Sequence, residues 1–399
     1  MNRILTINNL DDARRELHKI KVSSQGVEVM APKCLVMSIK LTNIHIGAAN
    51  ILKQEMLSIG GDAAVARGVV NGIEKCSDVI LLGNADKIKK LIRKLDYQEI
   101  FGLPNIKSDL QKMLNSKLKS ENNKISLKHG EIDLSNLNIM GILNVTPDSF
   151  SDGSEFYDVD KAVEHAFQME KDGADIIDIG GESTRPGAEK VNVQKELDRV
   201  IPVIEKIRKK SDIPISIDSY KSIVAKQALM AGADMINDIS ALRFDEEMID
   251  ILKENPEVPV ILMHMLGTPE TMQKDPFYDE VIEEILDFFE ERIGFCKNHN
   301  VDESRLIIDP GIGFGKRQED NLTILKKLAE FRCFGVPVLM GASRKSFIGR
   351  IYDSIPAERL EGSLATTALA LEAGINFIRV HDVKEHKRFV QVWQETRRN

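Results

Sequence analysis

From residue 138 onward the chain repeats one pattern, a short apolar run followed by a longer segment of helical period, and this repeat constrains the fold more than any other feature. The runs are "NIMGILN" (138–144), "DIIDIGG" (175–181), "IPISID" (213–218), "DMINDI" (234–239), "VPVILMH" (258–264), "RLIIDP" (305–310), "VPVLMG" (336–341) and "NFIRVHD" (376–382). Their near-continuous Val, Ile, Leu and Met is what parallel strands covered on both faces require. Between them, stretches such as "DVDKAVEHAFQMEKDGA", "VQKELDRVIPVIEKIRKKS" and "RLEGSLATTALALEAGI" space apolar residues three and four apart, as a helix burying one stripe does. Eight such units in about 260 residues fit a closed (β/α)8 TIM barrel better than an open doubly wound sheet. A dinucleotide-binding sheet would carry a G-x-G-x-x-G turn after its first strand, and none occurs there.

The barrel is expected over 125–399, entered by "ISLKHGEIDLS", two short strands that form a hairpin able to plug its bottom. Residues 1–118 read as a smaller α/β domain. Its expected strands are "RILTINN", "CLVMSIKL" and "SDVILLG", and its expected helices "DDARRELHKI" and "NADKIKKLIRKL". The polar stretch 119–124 is the expected linker. Among 399 residues, 62 acids and 54 bases are interspersed without a basic block, which argues against nucleic acid or an anionic membrane as partner. The amino terminus carries no apolar signal-peptide core, and no run approaches the ~18 apolar residues of a span, so a cytoplasmic protein is expected. Cys34, Cys76, Cys296 and Cys333 form no CxxC pair, which favours free thiols over zinc or a disulfide framework.

In a barrel of this kind the site lies at the carboxyl ends of the strands. Those positions hold Asn144, "GGESTRPGA", Asp218, Asn237 with Asp238, His264, Asp309, "GASRKS", and Arg379, His381 and Asp382. One strand-end Asp or Asn ordinarily caps a helix; eight polar strand ends together describe a mouth built for a ligand. Arg379 and His381, with Asn144 on the adjoining strand, suit a phosphate or pyrophosphate. Asp218, Asn237 and Asp309 suit a flat heterocycle rich in N–H donors, and Lys345 a ring carbonyl. Two glycine-rich polar loops, 145–157 and 181–192, are placed to close over a reacting group.

Through "MGILNVTPDSFSDG", "DIGGESTRPGA", "SIDSYK", "GADMINDISA", "GTPETMQ", "DPGIGFGK", "GASRKSFIG" and "IRVHDV", in that order, the region from about residue 125 to the end closely resembles the dihydropteroate synthases of the folate pathway. The resemblance implies that Asn144 and Asp152 hold a Mg2+ ion carrying the pyrophosphate, whose oxygens Arg379 and His381 bind. It implies a pterin pocket of Asp218, Asn237, Asp309 and Lys345. Thr184, Arg185, Pro186 and Ser343, with Lys345, would hold p-aminobenzoate, and Phe150 would pack over it. A homodimer through barrel helices is also implied. Ser154 and Leu266 depart from the family's common residues without removing a ligand. The role of residues 1–118 is not implied.

The expected reaction joins the pterin methylene of 6-hydroxymethyl-7,8-dihydropterin pyrophosphate to p-aminobenzoate and expels pyrophosphate. Three other readings stay open at this point: a methyltetrahydrofolate-dependent methyltransferase on the same barrel, an aldolase using Lys345 as a Schiff-base lysine, and a pterin-binding paralogue without turnover.

Overall fold

In a computed structural model the chain divides into two compact units, one built on Met1–Glu121 and the other on Asn122–Arg332 and Val336–Asn399. Residues 3, 5–70, 72–118, 124–146, 159–183 and 190–398 are described by the structure.

The first unit carries an antiparallel sheet of β1 (Val36–His45), β2 (Asp62–Val65) and β3 (Cys76–Asn84), with β3 in the centre. Along β3, burial alternates, so Val79 and Leu81 face inward and Ile80 and Leu82 outward. The inward side packs on helices Ile46–Ser58, Ala85–Leu95 and Leu103–Leu118 through Leu52, Met56, Ile88, Leu91 and Leu110. No strand forms among the described residues of "RILTINN", contrary to expectation. Its polar end is consumed as a cap: the Asn9 side chain accepts from Asp12 N at 2.9 Å, and Asp12 accepts from Asn8 N, starting helix Leu10–Lys19. The third strand is instead the four-residue "DAAV", too short and alanine-rich to show a pattern.

The second unit opens with the hairpin β4 (Lys124–Leu127) and β5 (Gly130–Asp133). Eight parallel strands follow, each inside one of the apolar runs: β6 (Asn138–Asn144), β7 (Ile176–Gly180), β8 (Ile215–Asp218), β9 (Met235–Asp238), β10 (Val260–Met263), β11 (Leu306–Asp309), β12 (Leu339–Met340) and β13 (Phe377–Val380). Neighbours pair in sequence order and β13 returns to β6, while a parallel bridge from Ile308 to Val338 joins β11 to the residue before β12 and closes the barrel. β12 is short because Pro337 has no N–H to give; its carbonyl accepts from Ile308 N instead. Helices such as Val159–Asp172, Val193–Arg208, Val281–Asn298 and Leu360–Ala373 cover the outside.

Ile125 and Ile132 of the hairpin pack with Met140, Ile176, Met235, Ile261, Ile307, Leu339 and Phe377. All seven partners lie near the amino ends of barrel strands, so the hairpin plugs that end and leaves the carboxyl ends for a site. Of the expected linker, 119–123 lie outside the described residues and Lys124 begins β4. No helix among the described residues is long and apolar enough to cross a membrane.

Candidate active site

At the carboxyl ends of the strands, Arg379 of β13 reaches across the mouth. Its Nε donates to Asp178 Oδ2 at 2.5 Å and its Nη2 to Asp218 Oδ2 at 2.6 Å. Asn237 donates to the same Asp178 oxygen at 3.1 Å. Asp218 and Asn237 are register partners on adjacent strands, so β8 and β9 present an acid and an amide side by side. Asp178 lies in the middle of β7, wholly buried, and its Oδ1 has no hydrogen-bond partner among the described residues.

A second group gathers around the turn after β11. Asp309 Oδ1 accepts from Gly311 N at 2.7 Å. Lys345 donates to Ile312 O, and its ammonium stands 4.3 Å from the Phe314 ring centroid. The turn requires glycine: at Gly311, with φ +67°, a Cβ would lie 2.0 Å from the His264 carbonyl oxygen. Behind it, the buried Lys316 ammonium lies 2.9 Å from His264 Nδ1 and donates to Phe314 O. Ser343 Oγ and His381 Nδ1 are 3.1 Å apart, and Arg344 forks onto Asp382.

Burial sets the electrostatics. It pushes the Asp218 carboxyl up to about 7, against the pull of Arg379 and with the help of Asp178. Asp309 is raised by burial, opposed by Lys345. Lys345 is brought down to about 8 and Lys316 to about 7 by burial, each opposed by Asp309. His264 falls well below its ordinary value through burial and the Lys316 charge, so it is neutral. For Arg379, burial alone would lower the guanidinium; Asp178 and Asp218 outweigh it and keep it charged. A Cβ on Gly341 would lie 3.8 Å from both Arg379 Cβ and Asp309 Oδ2, so the two groups share one mouth. Several buried charges with displaced protonation in one cleft mark a site of chemistry.

Of the residues expected from the sequence, Asp218, Asn237 and Arg379 are brought together, with Asp178 as their hub, and Asp309 and Lys345 stand beside them. Ser343 and His381 pair with each other. Asn144 ends β6 beside Gly180 of β7 and takes no part in that network. Phe150, Asp152, Thr184, Arg185 and Pro186 lie outside the described residues, as does Ser154. The described residues hold no group of three or more His, Cys, Asp or Glu disposed to hold a metal ion. Sequence reasoning missed Asp178 and Lys316. The available signal for Asp178 was an acid inside an otherwise apolar run; Lys316 gave none beyond its place at the end of a glycine-rich turn.

Residues 140–381 match the family described as pterin binding enzyme. The chain is 48% identical over 255 residues to the dihydropteroate synthase of Synechocystis sp., covering 64% of this chain and 88% of that one. It is 36% identical over 398 residues to a probable bifunctional folylpolyglutamate synthase/dihydropteroate synthase of Haloferax volcanii, covering 97% of this chain; the chain spans 46% of that relative's length. Among solved structures, the Xanthomonas albilineans dihydropteroate synthase with 4-aminobenzoic acid superposes with a TM-score of 0.65 at 43% identity, over 69% of this chain and 98% of the other.

Proposed function

The chain belongs to the dihydropteroate synthase family of pterin-binding enzymes, and from that premise we propose that it condenses 6-hydroxymethyl-7,8-dihydropterin pyrophosphate with p-aminobenzoate, giving 7,8-dihydropteroate and pyrophosphate. The observation that carries the reading is the Asp178–Arg379–Asp218 bridge with Asn237, beside Asp309 and Lys345, at the open end of a plugged barrel. Such a wall of carboxylates and one amide complements the N–H edge of a pterin, and Lys345 complements its carbonyl.

In the reaction the C–O bond to pyrophosphate breaks and a C–N bond to the arylamine forms, the amine losing a proton. The pterin ring can carry the cationic methylene that develops, and Asp218 is placed to stabilise it electrostatically. Arg379 keeps its charge under burial and has a third nitrogen, Nη1, beyond the two given to Asp178 and Asp218; with His381 it would bind the leaving pyrophosphate. No enzyme nucleophile is needed. The amine requires positioning, for which Ser343, Thr184, Arg185, Pro186 and Phe150 are proposed.

A Mg2+ ion is proposed to travel with the pyrophosphate. Asn144 would supply a hard oxygen ligand at the end of β6, with Asp152 the proposed second. When bound, the ion neutralises charge on the leaving group. A homodimer is proposed through the barrel helices after β11 and β12, where Leu322, Ile351, Tyr352 and Leu369 remain exposed. Sedimentation velocity tests it: a monomer at micromolar concentration removes it. A cytoplasmic location is proposed from the sequence alone. For the function, pyrophosphate release from dihydropterin pyrophosphate, with and without p-aminobenzoate, is decisive. Release that requires the amine and yields dihydropteroate supports the reading; none, by a folded protein with Mg2+ present, ends it.

A further inference from the structure

Where β7 hands over to helix Val193–Arg208, the two stems of the connection are tied by a buried ionic knot that the chemistry above does not use. Glu182 lies two residues past β7 and Val191 two residues before the helix. Val191 N donates to Glu182 Oε1 at 3.1 Å. The ammonium of Lys221, three residues past the end of β8, donates to Glu182 Oε2 at 2.7 Å, Val191 O at 2.6 Å and Glu196 Oε2 at 2.5 Å. These are all three of its protons. Arg199 adds a bond to Gly181 O at 2.6 Å. The side chains are withdrawn from water: Glu196 is 1% exposed, Glu182 10% and Lys221 13%.

We propose that Lys221 is a positioning residue for the amine substrate, holding the stems at 181–183 and 190–191 in fixed register with the end of β8, where Asp218 stands. The proposal rests on the reading that Thr184, Arg185 and Pro186, which lie between those stems in sequence, serve the p-aminobenzoate subsite. Stability does not account for the knot. A largely buried cation facing one buried and one largely buried carboxylate is costly to assemble, and apolar residues of the same volume would pack as well or better. Burial duly raises the Glu196 carboxyl, opposed by Lys221. What three directed bonds supply and apolar packing does not is a single geometry. Lys221 precedes helix Ser222–Ala231, where its ammonium, a donor only, cannot cap the free N–H groups; Ser222 N donates to Asp245 Oδ2 at 2.7 Å, and the lysine side chain serves the knot.

The test uses the full chain and the variants Lys221→Met, Lys221→Arg and Glu182→Gln. Lys221→Met should raise KM for p-aminobenzoate by about tenfold or more, since an ångström of misplacement costs this much. KM for dihydropterin pyrophosphate and kcat at saturating amine should stay within about threefold. Lys221→Arg, which keeps charge and donors, should recover part of the loss. Hydrogen exchange of the Ser183 and Val191 amides should quicken in Lys221→Met. Should Lys221→Met fail to fold, Glu182→Gln keeps the shape and loosens one stem, with a smaller rise in the same KM. Folded variants with an unchanged amine KM, or with both KM values and kcat worsening in parallel, overturn the proposal. An inactive wild type would instead overturn the enzymatic reading; unchanged exchange at Val191 in Lys221→Met would then still sink the clamp on its own.

Discussion

The two ends of the barrel treat buried charge in opposite ways. At the plugged end, Asp234 is fully buried and fully paired: it accepts from His129 N, from Arg208 at 2.8 Å and from Ile215 N at 2.9 Å, with His129 Nδ1 2.8 Å away. At the open end, Asp178 keeps one oxygen without a partner among the described residues, Asp218 is pushed up to about 7 and Lys345 down to about 8. The first arrangement pins a hairpin to the barrel. The second leaves charges under-satisfied until something enters, which is the condition of a binding site. Charge at one end should therefore govern folding, and at the other turnover.

The largest effect expected from that contrast is at Lys345. Lys345→Ala should lower kcat/KM by ~10³-fold or more, as loss of a preorganised electrostatic contact does, with a thermal midpoint near that of the wild type. A folded mutant of normal turnover would sink the assignment. The mirror experiment is Asp234→Ala, which strands Arg208 without its buried partner. It should cost about 3–5 kcal/mol of stability in denaturant titration, leaving activity per folded molecule within about twofold. If the cost is instead catalytic, the division between the ends is wrong.

A subtler outcome concerns pH. Burial raises the Asp218 carboxyl from 3.8 to about 7, so the folded state holds a proton that the unfolded chain releases in that interval. Stability should then fall as pH rises from about 4 to about 7, and Asp218→Asn should flatten the slope. Activity should move the other way. If the ionised carboxylate stabilises the developing cation, kcat/KM should climb tenfold per pH unit below an apparent pKa near 7. A flat profile between pH 6 and 8 would remove Asp218 from that role.

How far the sequence reveals all this differs between elements for physical reasons. The barrel strands are legible because a parallel strand buried on both faces must be apolar throughout, and β6 matches its run at both ends. The strand expected over 3–9 fails because a cap signal at Asn9 outweighs an apolar pattern only a few residues long. In the site, residues at strand ends stand out as polarity where a run stops. Asp178 lies inside a strand, where an acid reads as an interruption rather than a hub. Lys221, Glu182 and Glu196 look like solvated charges in or beside helices, because nothing local announces that two carboxylates distant from Lys221 in sequence share its ammonium.

The smallest effect should come from removing the first unit. A chain beginning at residue 123 should retain pterin binding and turnover within about threefold, because each proposed ligand lies at or beyond Asn144 and a rate falls only where an interaction made in the transition state is removed. The first unit also has its own core around Leu52, Met56, Leu81 and Leu91, so its deletion does not gut the barrel's. Against this stands the Haloferax relative, which aligns over 97% of the chain and so carries the extension as well. Calorimetric pterin binding by a soluble, monodisperse truncation separates the cases: complete loss would mean that the first unit supplies part of the site and that chemistry is not confined to the barrel's open end.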